Sequence, residues 1–227
     1  MPDYVFPPPS LTCLPVAGGG AFPVRRIFCV GQNYSDHARE MGSDPTRQPP
    51  FFFTKPADAV TCGPKVPYPP MTERLDYEGE LVVGIGEAGA DIAVETARRY
   101  IFGYTVGCDL TRRDLQADAK KAGRPWDMAK GFDCSAAVGV LHPATEIGHP
   151  DKGSIRLLVN GEEKQKGDLS QMTWSVPEII AHLSRYVRLA PGDLIFTGTP
   201  AGVGPLAAGD RVEVIVEAVT AHKFTIG

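Results

Sequence analysis

Glycine and proline cut this sequence at short intervals, with 25 of the first and 21 of the second among 227 residues. Together they make about a fifth of the chain, against roughly an eighth in an average protein. In helix interiors the two cost roughly 1 and 3 kcal/mol respectively. A helical bundle is therefore excluded, and a loop-rich, mainly β or mixed fold is expected. With 43% hydrophobic and 22% charged residues the chain can still bury a core, so a disordered polymer is excluded as well.

The formal net charge is −4 and the isoelectric point is near 5.7. No basic field exists to attract nucleic acid or an anionic membrane surface, so neither is expected as a partner. The five cysteines (Cys13, Cys29, Cys62, Cys108 and Cys134) are odd in number and widely spaced, and no CxxC or Cys/His pair has zinc spacing. That usage fits a reducing, cytoplasmic location. The uncharged stretch from Tyr4 to Val24 imitates a leader or a membrane segment. Asp3 stands where a leader is basic, however, and Pro7, Pro8, Pro9, Pro15 and Pro23 with Gly18, Gly19 and Gly20 break any apolar helix. Residues 1–24 are read as an extended arm ending in a turn, and residues 25–227 as a single domain.

Along that domain, Arg26 to Gly31 and Phe51 to Thr54 read as strands, with a brief helix between them that Ser35 could cap. The proline-rich stretch from Pro64 to Met71 reads as a surface loop, followed by a β-branched strand from Glu78 to Ile85. Asp91 to Tyr100 and Arg112 to Lys121 have helical composition and flank a strand from Tyr104 to Cys108. Asn160-Gly161 is a type I′ hairpin signal. Ser175, Pro177 and Glu178 mark a helix start that leads into Ile179 to Leu189. Leu194 to Thr197, Arg211 to Val216 and Thr220 to Ile226 read as strands, with the Gly198 to Gly204 turn among them.

Four groups of residues can carry chemistry. Glu78 and Glu80 stand two apart on one strand and so share a face. Two carboxylates brought together repel unless a cation lies between them, and a hard ion such as Mg²⁺ or Ca²⁺ takes oxygen ligands. Asp109, at the end of an apolar strand where an unpaired carboxylate is costly, is the natural third ligand. The plainer reading is a solvated strand edge. His37 and Glu40 are three apart on the short helix, a spacing that lets a carboxylate orient an imidazole as a general base; the alternative is an exposed pair. Lys130 in a loop, with Arg113 and Gln116 one turn apart, supplies donors for a developing oxyanion, or else forms an ordinary surface. The Thr197 to Gly204 loop lacks the endings of a phosphate-binding loop and is read as a turn that offers Thr199 to a ligand carboxylate.

Together the motifs resemble the fumarylacetoacetate hydrolase family. Six elements match in family order: Asn33-Tyr-Ser-Asp-His-Ala-Arg-Glu40, Phe51-Phe-Phe-Thr-Lys-Pro56, Asp76-Tyr-Glu-Gly-Glu80, Gly107-Cys-Asp-Leu-Thr-Arg-Arg-Asp-Leu-Gln116, Lys130-Gly-Phe-Asp133 and Thr197-Gly-Thr-Pro200. The length and the proline-rich start are most similar to its bacterial fumarylpyruvate hydrolases and short acylpyruvases. The resemblance implies a mixed α/β, mainly β fold, a β-sandwich roll with few short helices, usually as a homodimer, so that residues 25–227 form one catalytic domain. It also implies Glu78, Glu80 and Asp109 as metal ligands for Mg²⁺, with Mn²⁺ or Ca²⁺ as alternatives. In the same way His37 and Glu40 become the water-activating pair, Lys130 a catalytic cation, and Arg113, Gln116 and Thr199 substrate contacts.

The implied reaction is metal-dependent hydrolysis of the C–C bond of a 2,4-diketo acid, foremost fumarylpyruvate to fumarate and pyruvate in aromatic (gentisate) degradation. Oxaloacetate decarboxylation or isomerisation of a hydroxymuconate-type diacid could use the same site, and a non-enzymatic metabolite-binding module is the remote alternative. A fumaryl tail carries a second carboxylate, for which Lys55, Arg112 or Arg47 is the expected cation. Gly31 and Gly42 flank the His37 helix and would let it close over substrate.

Overall fold

The computed structural model describes residues 4–42 and 48–227. Its centre is an eight-stranded sheet in the order Phe51–Lys55, Arg26–Gly31, Asp193–Phe196, Gly79–Ile85, Ile101–Asp109, Ala136–Val138 and Val60–Thr61, with the short strand His142–Pro143 also paired to Ile101–Asp109. A five-stranded sheet, Glu162–Asp168, Ser154–Val159, Arg211–Val216, Thr220–Ile226 and Lys65–Val66, packs against it. The fold is mainly β, as the glycine and proline content predicts, with few short helices.

The strand Gly79–Ile85 is buried along its whole length, which is why it reads as a continuous apolar run rather than an alternating one. Leu81, Val83 and Ile85 face the five-stranded sheet and join Leu157, Val214 and Phe224 in the main core. Val82 faces the other way, into a second core with Ile27, Cys29, Leu194 and Phe196. Glu80 is two residues from Val82 and so shares this second face. The strand that carries Glu80 is thereby fixed from both sides.

That second core corrects the reading of residues 1–24. Cys13–Pro15 and Ala21–Pro23 pair as a hairpin, and Leu14, Phe22 and Val24 are buried against the large sheet. Only the stretch before it, with Tyr4, Val5, Phe6 and Leu11 exposed, is an extended arm. The prolines that forbid a helix allow a strand edge, and two large apolar side chains hold it down.

Other boundaries shift for local reasons. Inside the proline-rich loop, Lys65–Val66 pairs in parallel with the terminal strand, because Pro64 and Pro67 leave the intervening residues free to bond. Ser35 is the first residue of the helix Ser35–Glu40 and makes no cap; Tyr34 holds the capping position. The helical composition after Asp91 gives a 3-10 helix, Val94–Tyr100, against which the helix Val176–Tyr186 packs. At the start of that second helix, Glu178 reaches back to the Ser175 N–H at 2.9 Å. Asn160 and Gly161 both have positive φ in the predicted hairpin turn. Among the described residues no helix is long and apolar enough to cross a membrane, and all five cysteines, which lie among them, are free.

Candidate metal centre

Glu78, Glu80 and Asp109 each present an oxygen within 4.8 Å of the others, and all three are buried. Glu80 lies on the strand Gly79–Ile85 opposite Gly107, and Asp109 ends the adjacent strand Ile101–Asp109. Glu78 is the single residue between Leu75–Tyr77 and Gly79–Ile85, so the strand begins one residue later than the sequence predicts. Gly79 between the two glutamates packs closely on the opposing sheet: a Cβ there would lie 3.1 Å from Leu157 and 3.3 Å from Val214.

Three cations partly neutralise the cluster. Lys130 Nζ donates to Glu78 Oε2 at 2.7 Å and to Asp109 Oδ2 at 2.8 Å, and Arg113 Nη2 donates to Glu78 Oε1 at 2.6 Å. Burial would raise the Glu78 pKa, but Lys130 and Arg113 outweigh it and hold the carboxyl well below the ordinary range. Lys55 Nζ lies 2.7 Å from Asp109 Oδ1. It also donates to the carbonyls of Leu110 and Lys130, so Asp109 Oδ1 is held by a close ion pair rather than by a well-aligned hydrogen bond.

Glu80 is the least compensated of the three. Its Oε2 accepts one bond, from Gly198 N–H at 2.6 Å. Burial, then Asp109 and Glu78, push its pKa well above the ordinary value. Gly198 supplies that N–H from a positive φ, and a Cβ there would meet Asn33 at 2.7 Å, so the loop can approach the carboxylate only as glycine. Three buried carboxylates drawn together, one of them short of positive charge, are what a hard divalent ion would complete. The residues present fit such an ion.

The remaining predicted residues converge on the same pocket, which is lined by His37, Glu78, Glu80, Arg113, Gln116, Lys130 and Thr199 together with Val30, Phe51, Phe53, Lys120 and Trp126. His37 is buried, and its Nδ1 lies 3.2 Å from Glu40 Oε2. The Gly202 N–H donates to both oxygens of Glu40 at 3.2 Å, so the carboxylate is held from the side opposite the imidazole. Arg113 is occupied within the chain: Nε donates to Asp76 at 2.8 Å and Nη1 to Gln116 Oε1 at 2.6 Å. With its carbonyl so fixed, Gln116 keeps its NH₂ as a donor for a ligand.

Thr199 departs from its expected use. Its hydroxyl donates to Gly79 O at 2.8 Å and accepts from Gln165 Nε2 at 2.8 Å, so it would have to release Gly79 to donate to a ligand carboxylate. Two of the cations expected for a substrate tail are placed elsewhere. Lys55 is buried behind Asp109, and Arg112 donates to Met128 O and stacks on Phe132. Arg47 lies outside the described residues.

Gln165 is a site residue that sequence reasoning passed over. It is buried in an otherwise polar strand, accepts from Gly79 N at 2.9 Å, and donates to Thr199 Oγ1 and to Pro200 O at 2.7 Å. One amide thus ties the residue between the two glutamates to the Thr199 loop. Gln165→Leu strands the Gly79 N–H and the Pro200 carbonyl, each at about 1–3 kcal/mol. It is expected to lower the thermal midpoint and to weaken divalent-metal affinity roughly 10- to 100-fold, as loss of a group that orients a ligand does. Metal titration beside thermal unfolding checks both.

Comparison with known proteins is consistent with this geometry. The family described as "Fumarylacetoacetate (FAA) hydrolase C-terminal" matches residues 26–226. A fumarylpyruvate hydrolase from a Ralstonia species is 43% identical over 178 residues, which cover 78% of this chain and 92% of that protein. The oxaloacetate tautomerase of Escherichia coli K12 is 41% identical over 207 residues, covering 90% of this chain and 92% of that one. The crystal structure of fumarylpyruvate hydrolase from Pseudomonas aeruginosa, in complex with Mn²⁺ and pyruvate, superposes with a TM-score of 0.95 at 46% identity and covers 99% of each chain.

Proposed function

We propose that this chain, which belongs to the fumarylacetoacetate hydrolase family, is a divalent-metal-dependent acylpyruvate hydrolase with fumarylpyruvate as its foremost substrate. The observation that carries the reading is the buried triad Glu78, Glu80 and Asp109, whose two glutamates line one pocket with His37, itself paired with Glu40. The Mn²⁺ and pyruvate named for the Pseudomonas relative and the hydrolase name of the Ralstonia relative support it.

A bound divalent ion would supply Lewis acidity toward the α-keto acid end of the substrate. The chain's own residues do the rest. His37, oriented through Nδ1 by Glu40, takes a proton from water with its other ring nitrogen. The resulting hydroxide adds to the carbonyl at C4. The negative charge that develops on that oxygen is met by the Gln116 NH₂ and the Lys130 ammonium. The C3–C4 bond then breaks, fumarate leaves with the added oxygen, and the electron pair stays on C3 as the enolate of pyruvate. A proton returned to C3 completes the balance of one water consumed and two acids formed. No nucleophilic serine or cysteine is required.

The second reading is enol–keto chemistry on oxaloacetate, which the Escherichia coli relative's name favours. It consumes no water and releases no second acid. The decisive assay follows the ultraviolet band of fumarylpyruvate and the pyruvate released, with Mg²⁺ or Mn²⁺ and with EDTA. Equimolar fumarate and pyruvate that cease on chelation are expected; turnover indifferent to EDTA would overturn the metal-dependent reading.

A further inference from the structure

We propose that Lys120 recognises the far carboxylate of a dicarboxylic substrate and so sets the preference for charged over neutral acyl tails, an inference that rests on the acylpyruvate reading above. Lys120 lies on the helix Arg113–Ala122, four residues after Gln116 and seven after Arg113, so the three share one face. It lines the same pocket as Glu78 and Glu80.

The pocket's cations differ in what they hold. Arg113 is bound to Asp76, Glu78 and Gln116, and Lys130 to Glu78 and Asp109. Lys120 has no carboxylate partner among the described residues; its Nζ lies 5.2 Å above the Trp126 ring. Phe51, Phe53 and Trp126 line the same pocket, an apolar surface that suits the carbon chain of an acyl tail. Burial first, and then the like charge of Arg113, lower its pKa against the opposing pull of Glu78. The helix rises about 6 Å between Gln116 and Lys120. Both side chains leave the same helix face, with Lys120 one turn beyond Gln116. The Trp126 ring stiffens the lysine without neutralising it, since a cation–π contact leaves the charge available.

The test uses binding as well as turnover. Mn²⁺-loaded wild type, Lys120→Met and Lys120→Arg are titrated calorimetrically with 2-oxoheptanedioate and with 2-oxoheptanoate, which share the α-keto acid end and chain length and differ in the far carboxylate. Wild type and the arginine variant are expected to bind the diacid about tenfold or more tighter than the monoacid, the scale of one charge-assisted hydrogen bond. In Lys120→Met that preference is expected to vanish while monoacid binding stays unchanged. An undiminished preference in Lys120→Met, or none in wild type, overturns the assignment. In parallel, kcat/KM is measured on fumarylpyruvate and acetylpyruvate, and the methionine variant should lose only the former. A wild type that hydrolyses neither overturns the hydrolase reading alone, because the titration still decides the role of Lys120.

Discussion

Replacing His37 by alanine is expected to lower kcat for acylpyruvate hydrolysis by roughly 10² to 10⁴, the range of a lost general base. The size of the effect follows from how the imidazole is held. A six-residue helix is too short to be stable by itself, and this one is secured at both ends. Asn33 just before it donates to the carbonyls of Trp174 and Thr197 and accepts from the Trp174 N–H. Glu40 at its end accepts from Gly202. The ring therefore faces the pocket in a fixed orientation, with Nδ1 committed to Glu40.

Because the metal ligands come from other strands, His37→Ala should leave divalent-metal affinity unchanged and KM nearly so. Glu40→Gln keeps the size of the orienting group and gives up its charge, so a smaller loss is expected. A rate within threefold of wild type for His37→Ala, with metal binding intact, would strike the residue from the mechanism.

The parts of this site legible in the sequence are those whose geometry is local. Glu78 and Glu80 two apart, Asp109 at the end of an apolar strand, and His37 three residues before Glu40 need only strand and helix periodicity to be placed together. What the sequence hid was set by long-range register. Gln165 sits in Glu-Glu-Lys-Gln-Lys, where every residue is polar and no alternation marks the one that is buried. Lys55 and Lys120 look alike as isolated lysines. Pairing of Ile27 with Lys55 sends one behind Asp109, while the helical spacing from Gln116 brings the other into the pocket. The spacing 113, 116, 120 was available as a signal. The N-terminal hairpin was hidden because its burial depends on the outer face of a sheet whose strands lie far along the chain.

Glu80→Gln should produce two large effects of opposite sign. Activity is expected to fall by about 10³-fold or more, since several kcal/mol of charge stabilisation by a bound ion is lost with its ligand. Stability of the metal-free protein is expected to rise. Glu80 is buried with two carboxylates within reach and one N–H donor, and its folded-state pKa is well above the unfolded value. Between those two values the unfolded chain has released its proton while the folded chain retains it, so stability falls as pH rises across that window. Glutamine keeps an oxygen for the Gly198 N–H, offers an NH₂ to a neighbouring carboxylate, and carries no charge to desolvate. The gain at neutral pH should be about 1–3 kcal/mol, or roughly 3–10 °C for a chain of this length. The downward slope of stability above the ordinary glutamate pKa should flatten with it. Added Mn²⁺ should raise the thermal midpoint of wild type far more than that of the variant. Thermal unfolding of both proteins from pH 5 to 8, with and without Mn²⁺, reads all of this. A variant less stable than wild type in EDTA would mean that Lys130 and Lys55 already balance the triad, removing the electrostatic case for a resident divalent ion.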